Sequence, residues 1–182
     1  MKIVNHTKMT KKKLQKIMDF VIPNDRRQSI MDHFGNFTIE FVEGKDEFGL
    51  NRTSFRNKTI TLIYNRHYAY PYNEAQEQKE LKENDPYLYR SKLRELEKIT
   101  GTKYEDEYIG VLYLSATEAL VFAAAHECFH LSQAAQALDN KDPEPVLSNK
   151  HADMFALSKL REWRRLYNKP VYQDPLLESF NS

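Results

Sequence analysis

The chain has 182 residues, 41% of them hydrophobic and 12% aromatic, enough for one domain with a packed core. Its 27 Lys and Arg against 26 Asp and Glu leave a formal charge of +1, which argues against nucleic acid as the main ligand and sets no oligomeric state. No stretch has the apolar length of a membrane span, no apolar leader follows Met1, and the single Cys128 excludes an intramolecular disulfide, so the expected place is the cytoplasm of its own cell or of a host.

Residues 10–22 are expected to form an amphipathic helix. Thr10 can cap it, Leu14, Ile17, Met18 and Val21 share a face, and Pro23 ends it. The basic run Lys11-Lys12-Lys13, with Lys8 and Lys16, reads as the solvated face of that helix, with a phosphate or nucleic-acid patch as the lesser alternative. Asn36 to Val42 alternates as a strand and is followed by a turn at residues 43–46. Residues 46–57 are polar, a loop or a weak strand. Lys58 to Tyr64 is β-branched and alternating, a better strand.

Residues 66–106 read as a helical, partly exposed insertion in a single domain spanning 1–182. Within it Pro86 opens a helix from Tyr87 to Ile99, closed by Gly101. Tyr108 to Leu114 is a third strand, leading into Ser115-Ala116-Thr117-Glu118, which has capping-box form. The apolar run from Ala119 to Ala125 then suits a buried helix. A loop follows over residues 139–145, and a second long helix runs from about Ser148 to Tyr167, stopped by Pro170. The expected fold is α+β: a small twisted sheet on one side and a pair of long helices on the other.

The first of these long helices carries His126-Glu127-Cys128-Phe129-His130, an H-E-x-x-H sequence. Residues four apart share a helix face, so both imidazoles can reach one metal ion. Glu127 lies where it can take a proton from a metal-bound water. This pattern points to zinc and hydrolysis. The plainer alternative is a pair of core histidines bonded to neighbours. Cys128 reads as a small buried residue that fills the helix.

A catalytic zinc site normally has three protein ligands and a water. The third is expected from the next helix, where Asn149, His151 and Asp153 are the candidates. The segment Ala152-Asp153-Met154-Phe155-Ala156, about twenty residues after the motif, resembles the second helix of gluzincin-type zinc metallopeptidases. It is similar to that of the compact ImmA/IrrE-type peptidases of bacteria and mobile elements. The resemblance covers roughly residues 109–167. It implies a zincin-like domain, bound Zn2+, and hydrolysis of a protein or peptide substrate with Glu127 as general base. The family's ligating Glu falls at Asn149, a poor zinc ligand, and the family's Asp falls at Asp153, which there supports a ligating His.

Helical geometry favours Asp153 as third ligand, because Ala152, Ala156, Leu160, Trp163 and Tyr167 mark the inward stripe beside it. His151 is the alternative, being the better ligand by type but nearly opposite that stripe. Glu144, or Asn149 through water, stays open as well, and Asn149 also suits an N-cap. Tyr167, Tyr113 and His67 are candidates to stabilise an oxyanion. The leading functional expectation is a zinc-dependent peptidase. The alternative is a non-catalytic zinc-binding or degenerate peptidase-like interaction protein.

Overall fold

The computed structural model describes residues 1–22, 24–44, 51–66, 70, 72–73, 82–87, 89–90, 94, 111–141 and 147–167. The chain divides into two compact units, Met1–Tyr68 with Ser115–Val171 and Ala69–Leu114 with Tyr172–Ser182.

The first unit opens with β1 (Lys2–His6) and α1 (Lys11–Val21). Thr10 accepts the Lys13 N–H at the start of α1, and Leu14, Ile17, Met18 and Val21 are buried, as the spacing predicts. A single 3-10 turn leads into α2 (Arg27–Phe34). Strands β2 (Thr38–Glu43), β3 (Arg52–Ser54) and β4 (Thr59–Tyr64) follow. The sheet order is β1-β2-β4-β3, with β1, β2 and β4 mutually parallel and β3 antiparallel at the edge. The alternation that marks β2 and β4 puts Ile39, Phe41, Ile60 and Leu62 on one fully buried face. Thr38, Glu40, Thr59 and Thr61 occupy the other face, partly exposed.

The buried face is covered by α3 (Ala116–Asp139), the central helix of the unit. Ser115 accepts the Glu118 N–H and caps it. α1, α2, β4 and β3 all pack on α3, and so does α4 (Asn149–Leu166). A helix surrounded in this way must be apolar nearly all round, which explains the run Ala123-Ala124-Ala125 and the buried Leu120, Val121 and Leu131. The alanines also let α4 approach closely, with Ala152, Ala156 and Leu160 fully buried on its facing stripe. Tyr167, expected on that stripe, is instead 42% exposed just past the helix end.

α3 and α4 are further tied by an ion pair with no solvent exposure. Arg164 donates from Nε and Nη2 to Glu118 Oε2 at 3.2 and 2.9 Å. The far end of α3 is tied to α2, where Ser29 Oγ donates to Asp139 Oδ2 at 2.6 Å and His33 Nε2 lies 2.9 Å from Oδ1. These two contacts hold the Asp139 carboxyl below its ordinary range, Ser29 more strongly than His33.

In the second unit, β5 (Tyr72–Asn73) pairs antiparallel with β6 (Leu112–Tyr113) as a separate two-stranded sheet. The expected strand 108–114 therefore shortens to two residues and does not join the four-stranded sheet; residues 108–110 lie outside the described ones. Most of the expected helix 87–99, much of the loop 139–145, and the tail 171–182 also lie outside them. Among the described residues, no helix is long and apolar enough to cross a membrane.

Candidate metal centre

His126 and His130 lie one turn apart on α3, on the side that meets α4. Their rings stand at 82° with centroids 4.7 Å apart, and the two Nε2 atoms face each other at 3.0 Å. The opposite nitrogens are both engaged. His126 Nδ1 lies 2.7 Å from Asp153 Oδ1, and His130 Nδ1 lies 3.0 Å from Gln133 Oε1. An acceptor on Nδ1 draws the ring proton to that nitrogen and leaves the Nε2 lone pair for a cation. With both rings held in this way, two lone pairs converge on one point.

Zinc–nitrogen bonds of 2.0–2.1 Å at a tetrahedral angle would set the two nitrogens about 3.3 Å apart. The observed 3.0 Å needs only a small opening. The two histidines therefore fit a divalent metal. Among the described residues, no group of three or more His, Cys, Asp or Glu side chains is arranged to hold one.

The candidates for the third position are placed as follows. Asp153 is brought to the site, but onto His126 Nδ1, the nitrogen turned away from His130. Asn149 also reaches the site and hydrogen-bonds His130 through its side chain. It is not the N-cap of α4: Ser148 is, accepting the His151 N–H at 3.3 Å. His151 is exposed on the outer side of the first turn, away from the buried stripe. Glu144 and His67 lie outside the described residues. Tyr113 belongs to the second unit, and the Tyr167 ring lies tilted against Trp163 with Lys16 over it.

Electrostatics separate the two histidines. Burial opposes the charged form of His126, yet the hydrogen bond and charge of Asp153, with the charge of Glu127, outweigh it and raise its pKa. Burial and the neighbouring His126 lower that of His130.

Glu127 is 7% exposed and points toward the sheet. Its Oε2 accepts from Thr53 Oγ1 at 2.7 Å, so the edge strand β3 holds the carboxylate in place. Thr53 is 74 residues away in sequence, and nothing in its local pattern marks it. Gln133, by contrast, lies three residues past His130 on the same helix, a spacing that could have identified it. Cys128 faces the core at 1% exposure, and burial, then the charge of Glu127, pushes its thiol up to about 12. At neutral pH it is a thiol that fills space.

Set against family models, curated proteins and solved structures, the chain matches none.

Proposed function

We propose that this chain is a zinc-dependent peptidase, a zincin-like domain in which α3 and α4 form the metal-bearing helix pair. The observation that carries the reading is the pair of Nε2 atoms facing each other at 3.0 Å while both Nδ1 atoms are taken by acceptors. In this reading His126 and His130 hold the zinc. Asp153 orients His126 from behind, and the Asn149 amide or water completes the donor set. Zinc bound there supplies Lewis acidity toward a carbonyl oxygen and lowers the pKa of a coordinated water to about 7.

The chain's own groups do the rest. Glu127 takes the proton of the attacking water and delivers it to the leaving amine. Thr53 fixes one oxygen of that carboxylate and so sets the direction of the other. Because β3 is the sheet edge and contacts α3, an extended peptide pairing with it would lie beside Glu127. A buried, unreactive Cys128 suits a reducing compartment such as the cytoplasm, of its own cell or of a host.

One observation favours the second reading, a non-catalytic zinc-binding or degenerate peptidase-like interaction protein. The residue of α4 that reaches His130 is Asn149, a neutral amide where a carboxylate would complete the ligand set.

Glu127→Gln decides between them. In a peptidase it keeps its zinc and its fold, and it loses two or more orders of magnitude in cleavage of a denatured protein. Unchanged cleavage rejects the mechanism. A zinc-loaded wild type that cleaves nothing supports the interaction protein.

A further inference from the structure

We propose that the groove where α1 and α3 begin is a second site, one that binds a phosphate-bearing ligand. It uses none of the residues of the histidine centre and stands independently of the peptidase reading. Thr117 precedes His126 by nine residues, about 14 Å along α3.

The groove has a volume of about 560 Å³ and is lined by Lys12, Lys13 and Lys16 of α1. Three hydroxyl residues, Thr10, Ser115 and Thr117, complete its polar part, and among the described residues no carboxylate lines it. Trp163 and Tyr167, with ring centroids 4.6 Å apart, form an apolar wall. Three like charges thus share one small concavity in a chain whose net charge is only +1. Their placement also opposes the helix that carries them. α1 has no acid in its first turn. A lysine at this positive end of a helix is unfavourable where an acid would be favourable. An anion in the groove removes that conflict.

Two of the ammonium groups are held by residues that line the groove. Lys13 Nζ donates to Thr117 Oγ1 at 3.3 Å, bridging α1 to α3, and Lys16 Nζ stands 5.1 Å above the Tyr167 ring. Thr10 and Ser115 each accept a helix N–H on the side-chain oxygen, so their own O–H protons are available to donate. Point charges with several donors around one small volume match the tetrahedral oxygens of a phosphate better than a planar carboxylate. A long polyanion would need a basic stripe, and these charges are gathered in one groove.

The test is a titration of the full chain with inorganic pyrophosphate at fixed ionic strength, followed by calorimetry and by amide shifts. Saturable binding is expected, one per chain, with shifts gathered in the first turns of α1 and α3. The double variant Lys12→Ala/Lys16→Ala weakens it at least tenfold, while the control pair Lys2→Ala/Arg56→Ala leaves it unchanged. A parallel arm uses phosphatidylcholine vesicles with and without phosphatidate. Binding of pyrophosphate assigns a soluble phosphate compound, and lysine-dependent binding to phosphatidate vesicles alone assigns a lipid headgroup; both support the site. An equal response to sodium chloride, indifference to the lysine variant, or RNA binding that pyrophosphate does not compete overturns it.

Discussion

Replacing Asp153 by Ala removes the acceptor 2.7 Å from His126 Nδ1 and leaves both Nε2 donors in place. The pair is largely shielded, with side-chain exposures of 20% for His126 and 30% for Asp153, so water only partly substitutes for the lost carboxylate. The His126 ring then loses the group that fixes its tautomer and orientation. Losing such a partner weakens metal binding about 10–100-fold, equal to about 1.4–2.7 kcal/mol. A direct ligand would cost more. Apparent zinc binding of about 10–16 kcal/mol shared over four ligands is roughly 2.5–4 kcal/mol for each, at the upper end of that range or beyond it. Asp153→Asn keeps an oxygen acceptor and should recover most of the affinity. His151→Ala, at an exposed position, should change nothing. Competition with a chromophoric zinc chelator reads all three variants. Loss of zinc in Asp153→Ala as complete as in His126→Ala would refute the orienting role and make Asp153 a ligand. An unchanged affinity would refute any role at the site.

Glu118→Ala should destabilise the fold by about 3–5 kcal/mol in urea unfolding, because the buried Arg164 loses its carboxylate; a change under about 1 kcal/mol would contradict this. Asp139, held below its ordinary pKa by Ser29 and His33, contributes stability above the unfolded-state pKa and loses it as pH falls through the folded one. Ser29→Ala should therefore move the Asp139 titration back up toward the ordinary carboxylate range, read from its carboxyl carbon shift, and an unmoved titration would contradict the assigned cause.

The elements legible in the sequence are those whose signal is local. The amphipathic spacing of α1, the caps Thr10 and Ser115, and the alternation in β2 and β4 each depend on residues a few positions apart. β1 carries no such local signal, because five residues with polar ends become a strand only by pairing with β2, more than thirty residues later. α2 lacks a side-chain cap and is short. β3 has three residues and is defined by its pairing with β4. The histidine pair follows from helical period, but its surroundings do not. Whether Asp153 meets His126 on Nδ1 or Nε2 depends on how α4 crosses α3, and Thr53 reaches Glu127 only because β3 packs on that helix. The cap of α4 falls one residue earlier than Asn149, and that single step frees Asn149 to face His130.

Zinc content is the most direct test of the account. Protein purified without chelator and dialysed against a slight excess of zinc should carry one zinc per chain by elemental analysis. The double variant His126→Ala/His130→Ala, folded by circular dichroism, should carry none. Stoichiometric zinc in that variant, or none in the folded wild type, would contradict a metal centre built on the two facing Nε2 atoms.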